Sequence, residues 1–203
     1  MANNKVAVDE VDKFFEYNLF IPSRTIFMGS LSESWEGGET GVNYAMAEYV
    51  IKGLHILERL APKPPANNDI TILLNNPGGD WYHGMAIYDA IQACEANVTI
   101  RTLGHAMSMG SIILQAADDR VMSPNSRLMI HYGTSGFHNH TKIVQQWAKE
   151  DKKLIGIMEE IYMDKIKLKH PTFPGKKLRD MLNFDTILNA EEAVNLGLAD
   201  RIE

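Results

Sequence analysis

Apolar residues along the chain follow two alternating patterns, short dense runs and longer stretches with helical spacing. Residues 70–74 and 98–103 are short β-rich apolar runs, typical of strands covered on both faces in a parallel sheet. Apolar residues recur every three or four positions across residues 42–60, and residues 85–93 and the segment from Met109 also favour helix. Strands that alternate with helices predict right-handed crossovers and a largely parallel sheet, so the expected fold class is α/β with β-α-β units.

Shorter segments extend this pattern on both sides. Residues 25–29 predict a strand that ends at a glycine, and residues 120–122 and 127–130 predict two strands around a Ser-Pro-Asn turn. The glycine-rich segment 33–41 predicts a loop. The proline-rich segment 61–68 predicts another loop, because it excludes helix.

The longest helical segment covers residues 141–169, where His170 and Pro171 end the apolar spacing. A helix of this length is expected to project from a small domain, so its apolar stripe needs a cover, and a second subunit is one answer. Residues 176–181 and 190–196 predict short closing helices. The first 20 or so residues show no clear period and predict either a docking arm or a partly mobile start.

The composition is that of an ordinary globular protein, with 203 residues, 45% hydrophobic and 23% charged. One domain over residues 1–203 is therefore expected. The formal net charge of −6 argues against nucleic acid or an anionic membrane as a partner. No secretory signal or bilayer-length apolar run is visible, so a cytoplasmic location is expected. The single cysteine, Cys94, excludes an intrachain disulfide and is interpreted as a buried thiol on the apolar face of a helix.

Three residues that follow predicted strands carry the candidate chemistry. Ser108 lies between a predicted strand and a predicted helix, on a turn that exposes its hydroxyl. A serine hydroxyl is inert at neutral pH without a base, and His131 closes the next apolar strand. Gly79 follows the predicted strand at residues 70–74, and its freedom to adopt a positive φ allows its backbone N–H to point into a cleft. Because ligands collect beyond the carboxyl ends of strands in α/β sheets, these residues are expected to converge on one rim.

Each of these residues also has an ordinary structural interpretation. A serine before a helix is commonly an N-cap, a histidine after a strand is commonly a satisfied core residue, and Pro-Gly-Gly is commonly a turn. The spacing of His138 and His140 falls in a polar segment and is interpreted as a solvated loop, so no metal site is expected. Spacing alone does not select the acid that orients the histidine. The aspartates available downstream are Asp151, Asp164, Asp180, Asp185 and Asp200.

Six motifs, taken in their order along the chain, resemble the proteolytic subunit of the Clp protease, ClpP. They are Asn-Asn-Pro-Gly-Gly at 75–79, Gly-Met-Ala-Ile-Tyr-Asp at 84–89, Ala-Met-Ser-Met-Gly at 106–110, Ser-Pro-Asn-Ser-Arg at 123–127, Met-Ile-His at 129–131 and Ala-Glu-Glu-Ala-Val-Asn-Leu-Gly-Leu-Ala-Asp at 190–200. The resemblance extends from about residue 25 to residue 203. It implies a crotonase-like α/β fold with residues 138–170 as a protruding handle and residues 1–24 as an N-terminal arm.

Carried over position by position, the resemblance implies a nucleophile at Ser108, a base at His131 and an acid at Asp185. The backbone N–H groups of Gly79 and Met109 would form the oxyanion hole. The implied function is a serine endopeptidase that degrades unfolded proteins and peptides inside a homo-oligomeric barrel of heptameric rings, a tetradecamer. An ATP-driven AAA+ unfoldase would feed the barrel and bind the ATP. No cofactor is expected for this chain, which carries no phosphate-binding P-loop motif.

Departures from the family pattern indicate a divergent member. Thr71 and Leu73 occupy positions where the family often has tyrosines in the pocket for the unfoldase loop. Phe184 occupies the position of an arginine that the family commonly uses between rings. Residues 132–137 lack the Gln-Pro that usually borders the substrate groove. Unfoldase docking, ring contacts and cleavage preference are therefore expected to differ from the family pattern.

Other functions stay open at this point. A catalytically idle or scaffold ring subunit would share the fold but usually lacks one of the three site residues. A crotonase-type acyl-CoA hydratase or isomerase would share the fold and the oxyanion hole but act through carboxylates. A peptidase that assembles by itself and cleaves small unfolded chains without a partner is a further variant.

Overall fold

The fold is that of a computed structural model, which describes residues 8–29, 39–60 and 68–203. Most of the two predicted loops, 33–41 and 61–68, and the start of the predicted arm lie outside these residues. The helices are α1 (Val8–Tyr17), α2 (Tyr44–Arg59), α3 (Trp81–Gln92), α4 (Met109–Leu114), α5 (Thr141–Lys169), α6 (Gly175–Leu182) and α7 (Ala190–Leu196), with a 3-10 turn at Ile21–Ser23. The strands are β1 (Leu19–Phe20), β2 (Thr25–Met28), β3 (Ile70–Asn76), β4 (Val98–Met107), β5 (Asp119–Met122), β6 (Arg127–Ile130), β7 (Thr186–Asn189) and β8 (Arg201–Ile202).

The strands form one sheet in which parallel pairs predominate. Its main path runs β1-β2-β3-β4-β5-β8, and β6 pairs with β4 on one side and β7 on the other. Only the pairs β1-β2 and β6-β7 are antiparallel among the described strands. The first half of β4 pairs with β5 and the last three residues pair with β6. The predicted α/β class with a largely parallel sheet is confirmed.

One apolar core joins the sheet to the helices around it. Alternate residues of β3 are fully buried, beginning with Ile70 and Ile72, and Ile72 lies beside Ile100 of β4. α2 adds Val50 and Leu57 to the same cluster, at the helical spacing that the sequence pattern predicted. Because β3, β4 and β6 are parallel, their carboxyl ends lie along the same edge of the sheet.

Several element boundaries differ from the predicted ones for local reasons. α3 begins at Trp81, four residues before the predicted start, because Asp80 is its N-cap and accepts a hydrogen bond from the His83 N–H at 2.9 Å. β4 continues past Leu103 because its end pairs with β6 instead of β5. The arm, for which the sequence showed no clear period, contains α1.

Two helices in the last third of the chain, α5 and α7, have the bounds that the sequence predicts. α5 covers residues 141–169 and α7 covers residues 190–196, as the sequence predicts. The buried residues of α5 are confined to its second half, Met158, Tyr162 and Ile166, whereas most of its first half is exposed. None of the described helices combines the length and apolarity that a bilayer-spanning segment requires.

Cys94 lies just beyond α3, not on the helix face that the sequence suggested. Its side chain is partly buried, and this burial raises the pKa of the thiol from 9.0 to about 11. At neutral pH the group is therefore protonated and a weak nucleophile, in line with the structural interpretation of this residue.

A partly buried ion pair attaches the segment after α7 to β5. The Arg120 side chain is only 7% exposed; its Nε donates to Asp200 Oδ2 at 3.0 Å and its Nη1 donates to the Gly197 carbonyl oxygen at 3.0 Å. Burial alone would raise the pKa of the Asp200 carboxyl, but the hydrogen bonds from Arg120 outweigh it, so the pKa is lowered.

The variant Asp200→Asn is expected to lower the free energy of unfolding at neutral pH by about 1–2 kcal/mol, because it leaves the buried Arg120 guanidinium without its counter-charge. The loss is no larger because the Asp200 carboxylate is partly exposed, so water already screens the pair. Because the folded-state pKa lies below the unfolded one, near 3.8, this contribution is complete above that value and lost as the pH falls through the folded-state pKa. Urea unfolding at about pH 7 and about pH 3 measures it. A wild-type advantage that is equally large at both pH values would contradict this assignment.

Candidate active site

Two parallel strands place a serine and a histidine at the same edge of the sheet. Ser108 follows β4 directly and His131 follows β6 directly, and the last paired residues of these strands are Met107 and Met129. The Ser108 N–H donates to the Met129 carbonyl oxygen at 2.9 Å, which continues the ladder past the end of β4. The register of β4 and β6 therefore sets the two side chains beside each other.

An antiparallel strand pair brings the acid to the histidine. Ile130, the last residue of β6, lies opposite Thr186, the first residue of β7. His131 leaves β6 at the end where Asp185 enters β7, so residues 54 positions apart in sequence become neighbours. This pairing selects Asp185 among the five aspartates that sequence spacing left open.

Two hydrogen bonds join the three side chains in a row. His131 Nε2 lies 2.8 Å from Ser108 Oγ, and His131 Nδ1 lies 2.8 Å from Asp185 Oδ1. An ionised carboxylate only accepts, so the proton of a neutral imidazole belongs on Nδ1, and Nε2 accepts the Ser108 O–H. The His131 side chain is 23% exposed and that of Asp185 is 69% exposed. This arrangement presents a hydroxyl whose proton already points at a base.

The backbone at Ser108 has a conformation that non-glycine residues seldom adopt. Its φ is 50° and its ψ is −123°, and although the residue precedes α4, its side chain makes no capping hydrogen bond to that helix. The N-cap interpretation therefore does not describe this hydroxyl. Its carbonyl oxygen instead accepts hydrogen bonds from the N–H groups of Ser111 and Ile112, at 2.9 and 3.3 Å. Such strain persists only where surrounding contacts fix the residue.

The glycines after β3 pass directly beside the serine. Gly78 has a φ of 106°, and a methyl group at its Cα would lie 2.5 Å from Ser108 Cβ. Its N–H donates to the buried Asn76 side chain at 2.8 Å, and its carbonyl oxygen accepts from the Val42 N–H at 2.6 Å. These two contacts fix the backbone that carries Gly79 into the site.

Gly79 and Met109 line one cleft together with Ser108 and His131. Met109 is the first residue of α4, so its N–H has no partner one turn earlier within the helix. The cleft has a volume of about 490 Å³ and passes between residues 132–137 and one face of α5. The α5 residues along it include the apolar Leu154 and Met158, so it offers an apolar surface next to the serine.

A metal site is not formed in the part of the chain that the structure describes. Over residues 8–29, 39–60 and 68–203, no group of three or more His, Cys, Asp or Glu side chains is arranged to hold an ion. His138 and His140, the pair with metal-like spacing, are both exposed.

Sequence reasoning found the three hydrogen-bonded side chains and the glycine and methionine that line the cleft, but it missed the residues behind them. Gly78 and Asn76 lie in the Asn-Asn-Pro-Gly-Gly motif at 75–79, but the contacts of Gly78 with Val42 and Ser108 join distant parts of the chain. Ser111 and Tyr162, which hydrogen-bond each other behind the serine, are 51 residues apart. No local pattern connects them.

Fold and site together define an α/β protein with a Ser–His–Asp array at the edge of a parallel sheet. The family model described as Clp protease matches residues 20–203. An ATP-dependent Clp protease proteolytic subunit of Deinococcus radiodurans is 35% identical over 188 residues, which cover 92% of this chain and 83% of that protein. A solved structure of a ClpP1 point mutant from Listeria monocytogenes has a TM-score of 0.73 at 24% identity, and the match covers 90% of this chain and 92% of that one.

The chain belongs to the Clp protease family, and within it to the class of the proteolytic subunit. The crotonase-like fold expected from the sequence is consistent with the structural neighbour. Membership in this family does not favour the acyl-CoA hydratase or isomerase alternative.

Proposed function

We propose that the chain is a serine endopeptidase in which Ser108 is the nucleophile, His131 the general base and Asp185 the residue that orients the base. The observation that carries this proposal is the row of two 2.8 Å hydrogen bonds through the imidazole. As Ser108 Oγ attacks a peptide carbonyl carbon, His131 Nε2 takes the hydroxyl proton. The imidazolium then gives this proton to the leaving amine, and a water deprotonated by the same nitrogen hydrolyses the acyl-enzyme.

Asp185 acts on the imidazole and not on the substrate. By accepting the Nδ1 proton it keeps Nε2 free to act as base, and its negative charge stabilises the imidazolium that forms during attack. The N–H groups of Gly79 and Met109 are the donors for the oxyanion, because both residues border the cleft beside Ser108. Donors held in advance by the fold stabilise the charge that develops on the carbonyl oxygen.

The substrate is an unfolded polypeptide, and the working form is a homo-oligomer. An extended chain fits an open cleft that combines apolar walls with backbone donors. The exposed apolar side chains of α5, Ile143, Trp147 and Ile157, need a cover that a second subunit supplies. Heptameric rings stacked into a tetradecamer, fed by an AAA+ unfoldase in the cytoplasm, are the form that the family resemblance implies. The proposed reaction needs no metal or other cofactor.

A fluorophosphonate probe tests the nucleophile directly. Ser108 Oγ should displace fluoride from phosphorus, and a tryptic digest should carry the label on the peptide from Thr102 to Arg120. Heat-denatured protein is the control and should stay unlabelled, because the hydroxyl is activated only by the folded arrangement. Light scattering on the same sample gives the mass of the assembly. Absence of label on the assembled, folded protein, or a label on another serine only, would contradict the proposal.

A further inference from the structure

A pair of buried hydroxyl groups lies next to the backbone of Ser108, and neither of the two side chains lines the cleft. Ser111 of α4 and Tyr162 of α5 are both fully buried, and their hydroxyl oxygens are 2.6 Å apart. Ser111 Oγ is also 2.7 Å from the carbonyl oxygen of Ser108. The proposed reaction uses neither hydroxyl, although together they connect α5 to the backbone of the nucleophile.

The acceptor at the end of this chain of hydrogen bonds fixes the direction of every donor. A carbonyl oxygen only accepts, so the Ser111 O–H donates to Ser108. The Ser111 oxygen is then left as an acceptor, and the Tyr162 O–H donates to it. Burial raises the pKa of Tyr162, so the phenol keeps its proton at neutral pH.

The Ser108 carbonyl therefore accepts one hydroxyl bond in addition to its bonds from the N–H groups of Ser111 and Ile112. The two N–H hydrogen bonds are of the kind found in the first turn of any α-helix. The hydroxyl bond is the shortest of the three, at 2.7 Å, and comes from a side chain. A residue with φ of 50° relaxes toward ordinary backbone unless contacts oppose it, and rotation of this peptide would move both Oγ and the next N–H.

Tyr162 is well placed to hold Ser111 still. It is one of only three buried residues of α5, with Met158 and Ile166 one turn away on each side, so its ring is fixed in the core. A hydroxyl on a fixed ring restricts the serine hydroxyl to one rotamer, the one that reaches the Ser108 carbonyl.

We propose that Ser111, oriented by Tyr162, is a positioning residue that holds the strained Ser108 turn in its reactive conformation. This inference rests on the proposed function of Ser108. Ser111 and Tyr162 contact neither substrate nor the reacting atoms. Their replacement should therefore change the rate of acylation and not the binding of substrate.

Three variants of the full-length protein separate positioning from simple stability: Ser111→Ala, Tyr162→Phe and the double variant. The assays are kcat and KM for a fluorogenic peptide, the rate of fluorophosphonate labelling, and urea unfolding. Tyr49→Phe is the control, because Tyr49 is a partly buried tyrosine whose hydroxyl also donates a hydrogen bond, to the Phe27 carbonyl oxygen at 3.3 Å, away from the site.

Ser111→Ala is expected to lower kcat and the labelling rate by about fivefold to tenfold, with KM unchanged. Tyr162→Phe should lower both by only about twofold to threefold, because Ser111 keeps its own bond to Ser108. The double variant should match Ser111→Ala, since without the serine hydroxyl Tyr162 has no connection to Ser108. Tyr49→Phe should leave kcat unchanged.

Stability is expected to follow a different order from activity. Ser111→Ala leaves the Tyr162 hydroxyl buried without an acceptor, so it should be the least stable variant, and the double variant should regain part of that loss. Recovery of stability without recovery of kcat supports positioning. Wild-type kcat in Ser111→Ala, or kcat that recovers with stability in the double variant, would overturn the inference while leaving the role of Ser108 intact. Full turnover by Ser108→Ala would instead overturn the proposed function, and this inference with it.

Discussion

Replacement of Ser108 by alanine is expected to lower kcat for peptide hydrolysis by about 10⁴-fold or more, with little change in KM. The variant keeps the cleft, the N–H groups and the histidine, and loses only the oxygen that His131 Nε2 contacts at 2.8 Å. Residual turnover then comes from substrate binding and the oxyanion donors alone. Release of a fluorophore from a short peptide, followed over hours, measures both proteins.

The control for this loss is another serine-to-alanine change at a buried position. Ser126 is buried, and its hydroxyl donates to the Ser123 carbonyl oxygen at 2.7 Å, at the end of β6 opposite to His131. Ser126→Ala should reduce stability and leave turnover intact. If Ser108→Ala cleaves peptide at the wild-type rate, the nucleophile is another group.

Gly78→Ala is expected to lower kcat by on the order of a hundredfold, although residue 78 is assigned no part in the reaction. The added methyl group would lie 2.5 Å from Ser108 Cβ and 2.9 Å from the Met107 carbonyl oxygen, and the φ of 106° is one that alanine strongly disfavours. Either the serine turn or the strand that carries Gly79 must move. In both cases the nucleophile and an oxyanion donor lose their alignment.

Gly156→Ala is the matched control, because Gly156 lies inside α5 and a methyl group added at its Cα would have no atom of the described residues outside its own helix turn within 4 Å. Alanine there should stabilise the helix by up to about 1 kcal/mol and leave kcat unchanged. Circular dichroism and urea unfolding establish whether Gly78→Ala still folds, and its fluorophosphonate labelling rate reports the serine alone. Normal labelling by a folded Gly78→Ala protein would show that the turn tolerates the methyl group.

Most of the fold follows from patterns that lie within one element. The helical spacing of residues 141–169 is bounded by a histidine and a proline, so the end of α5 is visible in the sequence. The end of β4 is not visible, because Gly104 interrupts the apolar run although the strand continues with a new partner. α1 was missed although Val8, Val11 and Phe15 recur at helical spacing, because so short a segment contains too few apolar residues for this spacing to be distinctive.

Some residues of the candidate site follow from local sequence patterns, whereas others depend on contacts between distant parts of the chain. Ser108 and His131 each end a strand, and the rule for parallel sheets places them at one edge. Asp185 required either the family resemblance or the antiparallel register of β6 and β7, which composition and spacing do not encode. The Ser111–Tyr162 contact depends on how α5 packs against α4, so it is visible only in three dimensions.

The Asp185 side chain is 69% exposed, so both dissolved salt and a neighbouring subunit can change the strength of its electrostatic interaction with His131. Dissolved ions screen a charge that water reaches, with a range of about 8 Å at physiological ionic strength, whereas a buried charge is largely sheltered from them. Because Asp185 Oδ1 and His131 Nδ1 are only 2.8 Å apart, well inside this range, added salt should weaken their attraction in the isolated subunit only slightly. A neighbouring subunit that excludes water from this carboxylate would act more strongly, because the lower local dielectric constant increases its attraction to the imidazolium.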